Sequence, residues 1–183
     1  MNSRKDSYLF TSDRLGFRPW RKSDIEWYAE MNATEKVMEF FPSVMSKEES
    51  LISMQKLTEA YRDLGHTYYV TELLDTGEII GFIGIGYQKF DAEFTPFKDL
   101  GWRLRPKHWG NGYATEGAKR CIEIAFAEKP LNLGVLYAIT TKTNLPSINV
   151  MKKIGMRHFK DFQHPELDDC PELQSCVLYQ LKR

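Results

Sequence analysis

The pattern of apolar and polar positions predicts three strands in the first half of the chain. The first lies at Leu15 to Arg18, and two β-rich stretches follow at Thr67 to Leu73 and Glu78 to Tyr87. Between the last two stands Asp75-Thr76-Gly77, a three-residue turn with glycine at the position that needs a left-handed backbone. We therefore expect these two strands to form a hairpin.

Apolar residues at helical spacing predict four helices. An amphipathic segment covers Ile25 to Met31, and Ser46-Lys47-Glu48-Glu49 has the form of a capping box before a longer helix that ends near Leu64-Gly65. Two more helices are predicted at Thr115 to Glu128 and at Leu145 to Ile154. The inward-facing residues of the third helix are Ala118, Ile122, Ala125 and Phe126.

Four further strands are predicted in the second half, at Leu100 to Leu104, Val135 to Thr141, Arg157 to Phe162 and Cys176 to Leu181. Strands interleaved with helices predict a mixed sheet with helices on both faces, which is an α/β layered fold. The chain of 183 residues has no linker, internal repeat or low-complexity tract. We therefore expect a single domain over residues 1–183.

Composition and charge argue against several classes of function. With 25 basic and 25 acidic side chains the formal charge is zero, so we expect no general attraction to nucleic acid. We find neither a signal peptide nor the roughly twenty consecutive apolar residues that span a bilayer, which predicts no membrane association. Cys121, Cys170 and Cys176 have no zinc-binding spacing, and their odd number argues against a disulfide framework. We therefore expect no metal and a reducing, cytoplasmic location, with Cys121 as a core residue.

The clearest chemical signal is the segment Trp109-Gly110-Asn111-Gly112-Tyr113-Ala114-Thr115. It follows a predicted strand and begins a predicted helix, and its two glycines let the main chain approach a ligand closely. The first N–H groups of a helix have no internal partners and carry the positive end of its dipole. The segment therefore predicts an anion cradle, most naturally for a phosphate or pyrophosphate. Positive charge gathers just ahead of it, in Arg103, Arg105, Lys107 and His108.

The spacing of the glycines excludes the common nucleotide-binding loops. It matches neither Gly-x-x-x-x-Gly-Lys-Ser/Thr nor Gly-x-Gly-x-x-Gly, and the glycines from Gly81 to Gly86 lie in a β-rich stretch with no helix after it. The segment resembles motif A of the GNAT superfamily of acyl-CoA N-acyltransferases, Gln/Arg-x-x-Gly-x-Gly/Ala. Trp109, Gly112 and Ala114 take its first, fourth and last positions. Tryptophan departs from the general pattern, but Trp-Gly-x-Gly-Tyr-Ala-Thr-Glu, with Pro106 ahead of it, is similar to the RimJ/RimL-like branch.

A second segment strengthens the resemblance. Asn144 to Met156 is similar to motif B, Asn-x-x-Ser-x-x-x-x-x-Lys-x-Gly-Phe, with methionine in place of phenylalanine. The same residues make a helix on physical grounds, because Asn144 can cap it, Pro146 suits its first turn and Gly155 suits a left-handed stop. Its predicted buried face consists of Ile148, Met151 and Ile154. The segment from Thr11 to Trp20 is also similar to the opening strand of the RimJ/RimL-like branch, so the resemblance covers most of the chain.

The resemblance implies a mostly antiparallel GNAT sheet in which the strands ending at Leu104 and Thr141 splay apart to form a slot for acetyl-CoA. Main-chain N–H groups of motif A would bind the pyrophosphate, and the pantetheine arm would pair with the strand edge before motif A. Ser147 is the expected proton donor to the departing thiolate. The residues expected to bind the cofactor are Trp102, Leu104, Arg105, Trp109, Gly110, Asn111, Gly112, Tyr113, Ala114, Thr115, Asn144 and Ser147.

The base that removes a proton from the acceptor amine has several candidates. Glu166 and His164 lie in the last predicted hairpin, which the resemblance places over the acceptor. Carboxylates of this hairpin favour a cationic acceptor over an anionic one. The other candidates are an ordered water and the side chains of Glu72, Asp91 and Glu93.

Three classes of function fit these signals to different degrees. The favoured one is an acetyl-CoA-dependent N-acetyltransferase that acts on a primary amine, either a protein N-terminus or a small molecule, as a monomer or homodimer. The second is a non-catalytic module that binds or senses acyl-CoA. The third, a nucleotide-binding module of another kind, leaves motif B unexplained.

Overall fold

The computed structural model describes residues 7–127 and 131–183, which build one eight-stranded sheet. Its strands are β1 (Phe10–Thr11), β2 (Leu15–Arg18), β3 (Tyr68–Leu73), β4 (Ile79–Gln88), β5 (Phe97–Leu104), β6 (Val135–Thr141), β7 (Arg157–Gln163) and β8 (Ser175–Lys182). They lie in the order β1-β2-β3-β4-β5-β6-β8-β7. Neighbours are antiparallel except β5 and β6, which are parallel. The mostly antiparallel sheet agrees with the predicted fold class.

Helices cover both faces of this sheet. They are α1 (Ile25–Asn32), α2 (Glu35–Met38), α3 (Lys47–Leu64), α4 (Tyr113–Phe126), α5 (Leu145–Lys153) and α6 (Pro171–Gln174). On one face α4 and α5 pack on a core that includes Phe17, Ile83 and Leu136. On the other face, α1 to α3 pack on a second core around Val70 and Phe82. No helix within the described ranges is long and apolar enough to cross a membrane.

Most predicted elements are present, and their local signals act as expected. Ser46 caps α3: its Oγ accepts from the Glu49 N–H (3.1 Å), and the Glu49 carboxylate accepts from the Ser46 N–H (2.7 Å). Gly65 ends the helix with a left-handed φ of 72°. The short elements β1, α2 and α6 were not predicted, because two to four residues show no periodicity.

The boundaries of the predicted elements are less accurate. β2 and β6 have the predicted residues, but β5 begins at Phe97, three residues before the predicted start. α4 begins at Tyr113, two residues before the predicted start, and the predicted end at Glu128 lies outside the described residues. The N-terminus of α4 therefore falls directly after Gly112, where the phosphate cradle was predicted.

β5 and β6 diverge after a single registered pair, Asp99 with Tyr137. Beyond it β5 continues to Leu104 and β6 to Thr141 without a further registered pair between them. The parallel strands thus open a slot at their C-terminal ends, beside the N-terminus of α4. This is the splay that the sequence resemblance implies.

Candidate active site

The two glycines of motif A form an open cradle before α4. Gly110 and Gly112 both have φ of 78°, a left-handed conformation that residues with a Cβ rarely adopt. A Cβ on Gly110 would meet no atom within 4 Å, and one on Gly112 would have Arg14 Nη2 as its nearest neighbour, at 3.7 Å. Because the space is open and the free N–H groups of α4 begin here, the cradle can hold an anion.

Side chains around the cradle fix its shape. The indole Nε1 of Trp109 donates to the Leu104 carbonyl (2.7 Å), which ties the glycine loop to the end of β5. The Asn111 amide donates to the carbonyls of His108 (3.2 Å) and Trp109 (3.1 Å). The side chains of Trp109 and Asn111 therefore shape the loop. This gives tryptophan a physical role at the first position of motif A, where the general pattern has Gln or Arg.

Arg14, which the sequence did not single out, lies beside the cradle. Its Nε donates to Glu116 Oε2 (2.6 Å), its Nη2 donates to the Asn111 carbonyl (3.2 Å), and its guanidinium lies 4.5 Å from the centre of the Tyr113 ring. Glu116 Oε1 also accepts from Ser12 Oγ (2.6 Å) and from the Arg14 N–H (2.8 Å). A half-exposed cation thus stands where a phosphate would arrive. The glutamate in the first turn of α4 was its only sequence signal.

The main chain of β5 presents alternate residues to the slot. The Arg105 N–H donates to the Ile80 carbonyl (2.9 Å), and in an antiparallel ladder such pairs recur at every second residue. The amides of Trp102 and Leu104 therefore point away from β4, toward the open edge. The Arg105 amide is used within the sheet, so a contact of Arg105 with the cofactor stays a prediction for its other groups.

The predicted basic cluster ahead of motif A is also dispersed. Arg105 pairs with Glu30 (3.0 Å), Lys107 pairs with Glu78, and His108 Nε2 lies 3.5 Å from the same Glu78 carboxylate. Arg105 and Lys107 are paired within the chain, and burial lowers the pKa of His108, so these residues form no free positive patch for phosphates.

Motif B lies on the other side of the slot, directly after β6. Asn144 caps α5 as predicted, because its Oδ1 accepts from the Ser147 N–H (3.1 Å), while its Nδ2 donates to Thr140 Oγ1 (3.0 Å). The Ser147 hydroxyl is partly exposed and has no hydrogen-bond partner in the part of the chain that the structure describes. Ser147 is thus free to donate to a ligand, whereas both groups of the Asn144 amide are engaged.

The hairpin between β7 and β8 brings His164 and Glu166 to the same end of the sheet. His164 packs 4.3 Å from the Phe90 ring centre, and its Nδ1 accepts from the Glu166 N–H (3.3 Å). Burial lowers the pKa of His164, and the nearby Glu166 only partly opposes this. A neutral ring whose Nδ1 accepts carries its proton on Nε2, so His164 faces the surroundings as a donor. The Glu166 side chain is exposed.

The three remaining base candidates lie in other surroundings. Glu72 accepts from Tyr8 (2.7 Å) and Arg18 (2.5 Å) on β3, two strands from the slot. Glu93 pairs with Lys160, and Asp91 is exposed. Both oxygens of the Glu72 carboxylate accept hydrogen bonds two strands from the slot, so the structure does not bring this candidate to the slot.

A buried carboxylate that the sequence did not reveal lies at the divergence of β5 and β6. Asp99 is 5% exposed, and its Oδ2 accepts from Tyr68 Oη (2.5 Å) and Gln88 Nε2 (3.2 Å). Oδ1 is buried and makes no hydrogen bond of ordinary geometry among the described residues, although the Ile139 main-chain N–H of β6 is near enough to act against the rise in pKa. Burial raises the pKa of Asp99 to about 6, against the effect of these hydrogen bonds.

Glycines make room for the tyrosine that holds Asp99. A Cβ on Gly86 would lie 2.4 Å from Tyr68 Oη, and one on Gly101 would lie 2.7 Å from Tyr68 Cε1. The Tyr68 ring therefore lies across a strip of β4 and β5 without side chains. The glycines of β4 could have signalled this packing, although they did not identify the tyrosine.

The comparisons with known proteins agree with this geometry. The model of the acetyltransferase (GNAT) domain family matches residues 14–157. The chain belongs to the GNAT acetyltransferase family. It is 31% identical to the uncharacterized N-acetyltransferase YnaD of Bacillus subtilis, over 80% of this chain and 81% of YnaD. It is also 34% identical to the uncharacterized B. subtilis protein YkkB, over 52% of this chain and only 54% of YkkB.

Two solved structures extend the likeness to the whole fold. A GNAT-family acetyltransferase from Bacillus anthracis is 26% identical with a TM-score of 0.76, covering 94% of this chain and 96% of that one. RimL, a ribosomal-protein acetyltransferase in complex with coenzyme A, has a TM-score of 0.74 at 13% identity, covering 95% and 97%. The family model confirms the recognition of this chain as a GNAT protein, and these structures confirm its fold.

Proposed function

We propose that this acetyltransferase is acetyl-CoA-dependent and acetylates a primary amine. The observation that carries the proposal is the open glycine cradle at the N-terminus of α4, next to the slot between β5 and β6. Coenzyme A would place its pyrophosphate on the cradle and its pantetheine arm along the Trp102 and Leu104 edge. The coenzyme A bound to RimL supports this assignment.

Residues on the two sides of the slot would carry out the acetyl transfer. A main-chain N–H of the β5 edge would stabilise the developing oxyanion, and Ser147 would donate a proton to the departing thiolate. Because the cofactor occupies the α4 side, the amine reaches the thioester from the opposite face of the sheet. Asp99 lies on that face at the divergence of the strands, with one oxygen that no side chain holds and a pKa near that of an effective base.

Asp99 is therefore our preferred base. His164 and Glu166 stay alternative predictions, because both lie on the hairpin at the slot end of β6. The proposal also includes a cytoplasmic location, a single domain over residues 1–183, and an acceptor that is either a protein N-terminus or a small molecule. A non-catalytic acyl-CoA-binding module remains the competing function.

The cradle can be tested with a matched pair of glycine substitutions. Gly110→Glu introduces a carboxylate into the phosphate site, and we expect coenzyme A binding to fall below detection by calorimetry. Gly65→Glu is the control, since Gly65 also has a left-handed φ and open space around its Cβ, but it lies at the far end of α3. Equal backbone strain should lower both melting temperatures alike. Unchanged affinity in folded Gly110→Glu would exclude the site.

Turnover separates the enzyme from the binding module. Coenzyme A release is measured with acetyl-CoA and a panel of small amines and N-terminal peptides. The proposal expects acetylated product by mass spectrometry with at least one amine. Tight binding of coenzyme A without transfer to any acceptor would favour the non-catalytic module.

A further inference from the structure

Arg103 is a largely buried cation without a carboxylate partner. Its Nη1 donates to Asn32 Oδ1 (2.8 Å), and its guanidinium carbon lies 4.0 Å from the centre of the Phe41 ring and 5.4 Å from that of Phe82. Its Nε is buried and has no hydrogen-bond partner within residues 7–127 and 131–183. In the same ranges, no carboxylate pairs with it. The positive charge therefore lacks a counter-charge from the described chain.

Arg18 shows how this fold neutralises a buried arginine that has a structural role. Arg18 is 3% exposed, and both of its terminal nitrogens donate to Asp24 at 2.8 Å while its Nε donates to Glu72 at 2.5 Å. Two carboxylates thus neutralise Arg18, as burial of a charge requires. Arg103 has the fixed position of such a residue but only a neutral amide as its partner. A ligand that brings a negative charge would complete its surroundings.

The groups around Arg103 hold its guanidinium in place. Asn32 is fully buried and its Nδ2 donates to Ser50 Oγ (3.1 Å), so Oδ1 is fixed toward Arg103. Phe41 is 40% exposed, so the stacked guanidinium lies close to the surface. A planar, stacked guanidinium with free N–H groups recognises carboxylates and phosphates through paired hydrogen bonds.

The position of Arg103 points to the acceptor rather than the cofactor. Leu104 and Leu100 pack in the core that lies under α4, whereas Arg103 contacts Asn32 of α1 on the opposite face. Asp99 and Arg103 are four residues apart on one strand, so their Cα atoms are about 13 Å apart on the same face. An acceptor on this face meets a carboxylate where the strands diverge and a guanidinium farther along β5.

We propose that Arg103 binds an anionic group of the acceptor, so that the substrate class is an amine that also carries a carboxylate or phosphate. This inference rests on the proposed N-acetyltransferase function and narrows its acceptor. The hairpin carboxylates had favoured a cationic acceptor over an anionic one. Arg103 adds a second requirement, which a polyamine does not meet.

The test compares acceptors that differ only in the anionic group. The carboxylate arm uses ω-amino acids from glycine to aminohexanoate, and the phosphate arm uses O-phosphoethanolamine. Alkylamines and diamines of equal length are the reference. We expect kcat/KM for the best anionic acceptor to exceed that of its matched alkylamine and diamine at least about tenfold, because buried polar groups reject analogues that leave them unpaired.

Variants then assign this preference to Arg103. Arg103→Gln should lower the anionic-to-neutral ratio about tenfold or more. Asn32→Asp supplies an internal carboxylate beside the guanidinium, so it should lower the same ratio in a chain whose arginine is intact. This second variant keeps the inference testable if Arg103→Gln does not fold. Arg62→Gln changes an arginine whose side chain is 70% exposed on α3, and it should leave the ratio unchanged.

Several outcomes would overturn the inference. The first is an equal loss of kcat/KM for anionic and neutral acceptors in Arg103→Gln. The second is a rise only in the KM for acetyl-CoA in that variant, and the third is a preference of the wild type for diamines. If no amine is acetylated although coenzyme A binds, the proposed function fails separately. Arg103 is then tested by the melting temperature of the coenzyme A complex with O-phosphoethanolamine or aminohexanoate. A concentration-dependent rise that Arg103→Gln lacks supports the site, and no rise in the wild type refutes it.

Discussion

At Asp99, Tyr68 and Gln88 hold one carboxylate oxygen and no side chain holds the other, which orients the proposed base where β5 and β6 diverge. We predict that Asp99→Asn lowers kcat/KM by about 10²- to 10⁴-fold, because the amide cannot accept the proton of the amine. It should also remove an acidic limb near pH 6, where the wild-type carboxyl becomes protonated. Glu166→Gln and His164→Ala, assayed over the same pH range, should retain that limb. A limb lost in either of them but kept in Asp99→Asn would move the base to the hairpin.

The same variant has a second readout in stability. Burial raises the pKa of Asp99 from 3.8 to about 6, so the folded state loses stability as pH rises between these values. Below this pH window the carboxyl is protonated in both the folded and the unfolded state. Above the window the carboxylate is charged in both states, and the full cost of burying that charge lowers the stability of the folded state. At pH 8, Asp99→Asn should therefore unfold at a higher denaturant concentration than the wild type. Its free energy of unfolding should be higher by at most about 3 kcal/mol, although the variant is less active. If Asp99→Asn were less stable than the wild type at pH 8, the destabilising effect of the buried Asp99 charge would be contradicted.

A separate prediction concerns the Ser147 side chain. Its main-chain N–H supplies the cap of α5, so Ser147→Ala keeps that hydrogen bond and loses only the hydroxyl. If the hydroxyl protonates the departing thiolate, kcat should fall by about 10²-fold or more, with little change in the KM for acetyl-CoA. Steady-state kinetics and a melting curve check this. A wild-type kcat would leave Ser147 with a role in capping only.

At the scale of elements, Glu116 joins the turn after β1 to the start of α4. Its pKa is lowered: burial acts to raise it, but hydrogen bonds from Ser12 and Arg14 outweigh that effect. The resulting stability is present above the ordinary glutamate pKa of 4.5 and is lost as pH falls through the lowered value. The element that carries the cradle is thus fixed most firmly near neutral pH.

The substitution Glu116→Gln tests the ion pair between Glu116 and Arg14. Glutamine keeps an oxygen for Ser12 and the Arg14 N–H, but it places an NH₂ group against the Arg14 guanidinium. We expect a loss of about 1 kcal/mol in stability and a severalfold rise in the KM for acetyl-CoA as Arg14 is released. Glu123→Gln on the same helix breaks the more exposed pair with Arg120, so it should change neither quantity measurably. An unchanged KM in Glu116→Gln would separate Arg14 from the cofactor.

For the whole molecule, the sequence predicted what local patterns encode. Ser46, Asn144 and Gly155 act within a few residues of themselves, so their caps and stops were correct. The glycine turn before α4 was correct for the same reason, since Gly110 and Gly112 directly precede that helix.

The face of each β5 side chain was harder to predict. Arg103 was grouped with Arg105, because both precede motif A, but it packs against α1 on the face away from α4. Asp99 gave no local signal at all, since Tyr68 is 31 residues away and only the completed sheet brings them together. The motif A residues proposed to bind the cofactor are thus closer together in sequence than those proposed to face the acceptor.

The strand order β6-β8-β7 has a consequence for biosynthesis. Among the described residues, β7 pairs only with β8, which lies between it and β6. On the ribosome β7 emerges first, so it cannot join the sheet until Ser175–Lys182 has also been translated and has left the exit tunnel. The hairpin with His164 and Glu166 is therefore assembled after the glycine turn of motif A, and a stalled nascent chain would display that turn without the β7–β8 hairpin.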